Sequence, residues 1–282
     1  MSRPPFKQVE ASRVPFGRDE ACETTKTPNP DWSLGGGANN LKWPKVSDST
    51  WTAIDPASTP AGNIYKLLIS GITPRPIALL SSCDAEGVTN LAPFSYFNIV
   101  SHNPPTIVIS FTNGNPPAKK ESAANILATK EFTVSIISEA LVEAANSTSI
   151  DAPPEISEWG ISGLTPIPSN VVRPPRVGES AFSMECTLEH SHDLNNDAGE
   201  CTATVVIGRI RMIHARDDVY DPETSVVDLE KLKPISRLGG ITYARTTKTF
   251  ELPRPQWSAT KDTAEMNEAL ERGKAASRIP IV

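Results

Sequence analysis

Apolar residues gather into short runs only from about Tyr65 onward, and breaker residues separate the runs. "RPIALLSSCDAEGVTNLAPFSYFNIV" reads as two strands around a turn at Asp84–Gly87. "PTIVISF" (105–111) is a third strand, fenced by Pro104 and Pro105. "AKKESAANILAT" predicts a helix with Ile126 and Leu127 facing inward, and "EFTVSIIS" (131–138) returns to β. "SEALVEAAN" (138–146) predicts a second short helix with Ser138 as its N-cap. "AFSMECTLEHSHDL" (181–194) and "CTATVVIGRIRMIHARDDVY" (201–220) alternate as a long antiparallel pair. "LGGITYARTTKTFEL" (238–252) reads as a closing strand, and 260–277 as a polar helix with few apolar anchors.

Six or seven strands with only short helices between some of them argue against a doubly wound parallel sheet. The prediction is a mainly β protein with short helices, its strands closed as an antiparallel barrel, since closure removes exposed edges. Residues 1–58 form an extended, irregular N-terminal extension, 59–256 the body and 257–282 a helical tail. Some of the tryptophan rings of the extension (Trp32, Trp43, Trp51) are expected to cover the body or a partner subunit, the alternative being a disordered tail. The long proline-rich stretch at 147–180 interrupts the body, and a loop of that length is usually functional or wraps something.

The 282 residues carry 38% hydrophobic content, enough for one large core or two small ones. A net charge of -6 disfavours a general nucleic-acid or anionic-membrane surface, so an anion site must be local. No run approaches the roughly 18 apolar residues of a membrane span, and the N-terminus lacks the apolar middle of a secretory signal. Cys22, Cys83, Cys186 and Cys201 have no CxxC spacing. Free thiols in a reducing, cytoplasmic setting are therefore expected.

The familiar phosphate and nucleophile motifs, GxGxxG, GxxxxGK[ST] and GxSxG, do not occur. His190 and His192 have ligand-like spacing but no third partner, so they read as a solvated strand end and no metal is expected. His102 and His214 have no visible triad partner, and Cys83 reads as a packing thiol. Three other features point to an anion. Arg75 stands between two prolines that stiffen and aim it. Lys119, Lys120 and Ser122 cluster where a helix offers free N–H groups, and lysines there are mildly disfavoured unless an anion joins them. "SRLGG" (236–240) sets another arginine beside glycines that permit close backbone approach.

Four ordered blocks carry a resemblance. They are "TPRPIALLSSCDAEGVTNLAPFSYFNIVSHNPPTIVISF", "KKESAANILATKEFTVSIIS", "GLTPIPSNVVRPPRVGESAFSMECTL" and "RLGGITYARTTKTFELPRP". Together, over roughly residues 60–255, the chain resembles the flavin-reductase-like FMN-binding split-barrel family, especially its flavoprotein-oxygenase branch. The resemblance implies a six-stranded antiparallel split β-barrel and a homodimer with FMN near the interface. It implies a phosphate segment at Lys120, Ser122 and Arg75. It implies a flavin-lining strand at Ala92, Phe94, Ser95, Tyr96 and Asn98, with Ser81 on the strand before it. Phe111 and Thr112 end the next strand, and Arg237, Gly239 and Tyr243 match the RLGG-Y block. The family often has Lys-Asp-Thr where this chain has Lys120-Glu121-Ser122, which keeps the hydroxyl. In a regular strand Ser95 and Asn98 face opposite ways, so either a bulge follows Ser95 or one of the two is structural.

The implied activity is that of an FMN-dependent oxidoreductase taking hydride from NAD(P)H and passing electrons to a free flavin, oxygen or an organic acceptor. Tyr96, His102 and Tyr243 are the candidates for any proton movement. The rival readings are a tailoring enzyme for a specialised substrate, and a flavin-binding protein without turnover.

Overall fold

The structure, a computed structural model, describes residues 5–17, 21–38, 44, 46–113, 119–153 and 156–276. Two compact units emerge. One is Asp55–Thr246; the other joins Met1–Ile54 to Thr247–Val282. The two flanks that the sequence separates into an extension and a tail thus belong together, and the body ends at residue 246 rather than 256.

The central unit begins with helix α1 (Ala61–Gly71), which the sequence reading did not pick out. Strands β1 (Ala78–Cys83), β2 (Thr89–Phe94), β3 (Phe97–His102) and β4 (Pro105–Thr112) follow. Next come α2 (Glu121–Thr129), β5 (Glu131–Ile136), α3 (Val142–Ser147) and α4 (Glu158–Ser162), then the long strands β6 (Phe182–Asn195) and β7 (Cys201–Ala215). The β1–β2 hairpin turns where expected. Asp84 Oδ1 accepts from Val88 N at 2.8 Å, and Gly87 takes φ +92°, a left-handed conformation in which glycine has no Cβ to clash. Helix α2 stops at Lys130, itself left-handed at φ 67°, whose N–H donates to Ile126 O.

The sheet runs β2-β1-β5-β6-β7-β4-β3, and every pairing in it is antiparallel. Its two end strands, β2 and β3, are consecutive in the chain, with only Ser95 and Tyr96 between them. The sheet must therefore curl until its edges meet, and Ser110 N donates to Tyr96 O at 2.9 Å beside that corner. This is a mainly β split barrel. Its seven strands become six if residues 89–102 are taken as one bent strand. The bend, rather than a bulge right after Ser95, reconciles Ser95 with Asn98. Ser95 lies in the bend between the two strands and Asn98 lies on β3, so the alternation of a single strand does not relate them.

All of β1 is buried, and its alternate residues feed two cores. Ala78 and Leu80 join Ile107, Ile109, Phe111, Ile126, Phe132 and Val206 inside the barrel. Leu79 joins Leu91, Ile137, Leu141, Trp159 and Val177 on the outer face, beneath α3 and α4. Each fully buried side chain of this size contributes about 1.5–3 kcal/mol. Phe132 lies so close over Gly208 of β7 that a Cβ there would run into the ring.

Several local expectations change. Ser138 precedes a 3-10 turn (Glu139–Leu141) and makes no side-chain cap. The expected closing strand at 238–252 is two short pieces in different units. Tyr243–Arg245 pairs with Ile235–Arg237, whereas Lys248–Phe250 pairs in parallel with Glu23–Thr25. The proline-rich stretch contains α4 and a small antiparallel pair, Pro166–Ile167 with Arg176–Val177. In the terminal unit, Trp32 Nε1 donates to Gly37 O at 2.8 Å and Arg272 reaches Leu34 O at 3.4 Å. Trp51 is 86% exposed, and Trp43 lies outside the described residues.

Candidate functional site

Two clefts open on either side of Pro93–Phe94, at the end of β2. The first, about 350 Å³, is lined by Tyr65 and Ile69 of α1, by Phe94, Ser95 and Tyr96 at the bend, by Ser110 and Thr112 of β4, and by Arg75, Arg237 and Gly240. The second, about 290 Å³, is lined by Ala92 and Phe94, by Lys120, Glu121 and Ser122 at the start of α2, and by residues 148–152 and Glu158. Each approaches the size range of small-ligand pockets, about 300–1,000 Å³.

The second cleft is the charged one. Lys120 is the N-cap residue of α2, and among the described residues no side chain caps the helix, so its first-turn N–H groups suit an anion. Lys120 Nζ is 3.8 Å from Asp151, a fully exposed carboxylate, and such a pair contributes little. Lys119 is not part of this arrangement. Its Nζ bonds Asp193 (2.6 Å) and Thr204 (2.9 Å) across the β6–β7 pair, and the hydrogen bonds that Asp193 accepts from Lys119 and from Thr204 (2.8 Å) hold its carboxyl below its ordinary range. Ser122 is 2% exposed and donates to Asn90 Oδ1 at 2.6 Å, while Asn90 Nδ2 reaches Glu158 Oε2 at 3.4 Å. Glu158 also accepts from Leu91 N, so a buried chain Ser122–Asn90–Glu158 ties α2, β2 and α4 together. Burial, and then the Glu158 charge, raise the Glu121 carboxyl above its usual value.

The first cleft is aromatic and hydroxyl-lined. Phe94 packs edge-on against Phe111, with ring centroids 4.6 Å apart. Burial, with Tyr65 adding and Arg75 opposing, holds the Tyr96 phenol above its ordinary value. Tyr96 is therefore a hydrogen-bond donor at neutral pH and not a base. Arg75 is buried and its guanidinium is spent inside the protein. Nη1 donates to Ile69 O and Ile72 O, both at 2.7 Å, Nη2 to Leu238 O at 3.1 Å, and Nε to Ser95 Oγ at 3.5 Å. These bonds take four of its five N–H groups and tie the segments of Ile69, Ile72, Ser95 and Leu238 together. Its backbone also pairs in both directions with that of Arg237.

Of the residues singled out from sequence, the structure brings Arg75, Ala92, Phe94, Ser95, Tyr96, Thr112, Lys120, Ser122 and Arg237 to these clefts. The others lie elsewhere. Ser81 and Phe111 are fully buried in the core, and the Ser81 hydroxyl has no hydrogen-bond partner among the described residues. Asn98 is exposed on the edge strand and bonds Ile99 N, and His102 is exposed at that strand's end. Gly239 lines neither cleft; its backbone packs against α1, where a Cβ would meet Ser70 Cβ at 3.0 Å. Tyr243 supports Arg237 from below, and its hydroxyl donates to Asn146 Oδ1 at 2.7 Å. Asn90 and Glu158 escaped the sequence reading, because a buried asparagine in a strand and a glutamate opening a short helix carry no spacing signal. The 114–118 part of the loop before α2 is outside the described residues. His190 and His192 lie within β6, opposite Ile207 and Val205, and no group of three potential metal ligands occurs among the described residues.

Residues 70–232 match the flavin reductase like domain model. A protein of Halalkalibacterium halodurans is 37% identical over 209 residues, which cover 74% of this chain and 99% of that one. The crystal structure of nitrilotriacetate monooxygenase component B from Bacillus cereus superposes with a TM-score of 0.69 at 38% identity, covering 72% of this chain and all of that one. The 2-nitrobenzoate 2-nitroreductase of Pseudomonas fluorescens does so with a TM-score of 0.65 at 30% identity, covering 73% and 98%. With the closed antiparallel sheet and the paired clefts at its seam, these likenesses place the chain in the flavin reductase-like family of split-barrel flavoprotein oxidoreductases.

Proposed function

We propose that the protein binds FMN across the two clefts and works as an NAD(P)H-dependent oxidoreductase. The observation that carries this reading is the division of labour on either side of Pro93–Phe94. An uncapped helix start with Lys120 lies on one side, and an aromatic, hydroxyl-lined cleft on the other. These residues fit FMN in kind. Lys120 and the first-turn N–H groups of α2 suit the phosphate. Phe94 offers an apolar face, and Ser95, Tyr96 and Thr112 offer groups for the polar edge of the ring system. Ser122 acts from behind, holding Asn90 and thereby the helix start.

Bound FMN would supply two-electron chemistry, taking hydride from NAD(P)H and returning electrons to a free flavin, oxygen or an organic acceptor. The chain's own task is then to hold the ring, exclude water and present donors to the reduced, anionic form. Neither His102 nor Tyr243 borders the clefts, which leaves Tyr96 as the donor for any proton delivered there. Direct reduction of an organic substrate is the second reading, favoured by the likeness to a nitroreductase over nearly that protein's whole length. A homodimer belongs to the same proposal, as does a cytoplasmic setting, where nicotinamide dinucleotides are regenerated.

Titration of the purified protein with FMN, followed by quenching of flavin fluorescence, tests the cofactor assignment. Saturation at one FMN per chain is expected. Fluorescence that stays that of free flavin at all protein concentrations contradicts it.

A further inference from the structure

Arg237 differs from every other cation around the clefts. Arg75 is consumed by backbone carbonyls, Lys119 by Asp193, and Lys120 faces Asp151. Arg237 lines the aromatic cleft with its guanidinium carbon 4.3 Å from the centroid of the Tyr243 ring, and spends one donor, Nη2, on Gly240 O at 2.8 Å. No ion pair involves it among the described residues; Glu139 instead pairs with Arg245, two residues beyond Tyr243. The group is also held in place. Its backbone bonds Arg75 in both directions, Arg75 grips Leu238 O, and the Tyr243 ring is fixed through Asn146. A stacked guanidinium keeps its planar fork pointed in one direction, and such a fork matches two oxygens of a carboxylate or phosphate.

We propose that Arg237 is a specificity-determining residue of this site, receiving the oxyanion group of the molecule that exchanges electrons with the flavin. Beside the hydroxyls of Ser95, Ser110 and Thr112, the cleft has an apolar wall in Tyr65 and Ile69 that the flavin reading leaves unassigned. It therefore suits a flat molecule with one anionic end. A carboxylate on the acceptor and a phosphate of the dinucleotide donor share this chemistry. The proposal rests on the reading of the clefts as a flavin site, and it assigns Arg237 to the second ligand rather than to FMN.

The test is calorimetric titration of the whole protein, with and without FMN, using benzoate, benzamide and ADP-ribose as probes. Wild type is compared with Arg237→Gln and Arg237→Lys, and melting curves verify that the variants fold. Benzoate is expected to bind wild type about tenfold or more tightly than benzamide. Arg237→Gln should weaken the anion about 10- to 100-fold, the loss of one charge-assisted bidentate contact. Arg237→Lys should recover part of the affinity, and FMN affinity should hold. A loss confined to benzoate identifies an acceptor carboxylate, and one confined to ADP-ribose identifies the dinucleotide phosphate; either supports the proposal. Wild type binding neither anion, Arg237→Gln binding both as tightly as wild type, or a parallel loss of FMN affinity overturns it. Failure of wild type to bind FMN would instead sink the flavin reading, and the FMN-free titrations would still decide the role of Arg237.

Discussion

Lys119 and Lys120 are adjacent, yet the fold gives them different tasks. Lys119 is pinned to Asp193 and Thr204 on the long hairpin, whereas Lys120 stands at the uncapped start of α2 against a weak, exposed partner. Lys120→Ala should therefore weaken FMN binding by about 1–3 kcal/mol, the cost of one charge-assisted contact. An unchanged FMN dissociation constant in that variant contradicts the phosphate assignment. The sequence was informative here about residue type more than about direction. It marked Arg75, Lys120, Ser122 and Arg237 as a set, but which donors face outward depends on carbonyls and carboxylates contributed by distant segments. The carbonyls that absorb Arg75 come from Ile69, Ile72 and Leu238, and no local pattern shows that they converge.

Among the elements, the strands with clean alternation or unbroken apolar runs were legible. The strand read at 105–111 is observed as Pro105–Thr112, and that at 181–194 as Phe182–Asn195. Helix α1 was missed because Ile69 is its one buried residue, so no apolar stripe facing a core announces it. The segment 238–252 was misread because its apolar and polar residues alternate across a break, on the two sides of which the chain finds different partners.

The proline-rich stretch is held down by a residue that no spacing rule would single out. Glu185 of β6, fully buried, accepts from Asn170 N (2.8 Å) and Val171 N (2.6 Å), with His214 Nε2 at 2.6 Å and Arg176 Nε at 3.8 Å. Burial alone would raise its carboxyl. The two backbone donors and His214 outweigh that and hold it below the ordinary value of 4.5. A depressed carboxyl stabilises the fold above the unfolded-state value, and that stability is lost as pH falls through the folded-state value. Glu185→Gln should thus cost roughly 1–3 kcal/mol at neutral pH. The gap to wild type should narrow as the medium is acidified below pH 4.5. Urea melts at a series of pH values check this. A gap that is constant with pH contradicts the role of the charge.

At the scale of the whole molecule, the end strand β3 of the barrel carries exposed apolar residues. At the irregularity between Ile99 and Ser101, β3 exposes Ile99 to 62% and Val100 to 54%. Exposed apolar residues on an end strand are a liability unless another surface covers them. A second copy of the chain is the proposed cover. Val100→Asp should therefore shift the mass measured by light scattering from dimer toward monomer without lowering the melting temperature of the monomer. Wild type running as a monomer at micromolar concentration contradicts the dimer.

The central claim is that this chain holds a flavin which a nicotinamide dinucleotide can reduce. The most direct measurement is anaerobic mixing of FMN-loaded protein with NADH, and separately with NADPH, followed through the visible flavin absorbance. The account predicts bleaching by at least one of the two dinucleotides, far faster than that of free FMN under the same conditions, and recovery of the absorbance when oxygen is admitted. Absorbance that persists with both would contradict it and leave a flavin-binding protein reduced by some other donor or by none.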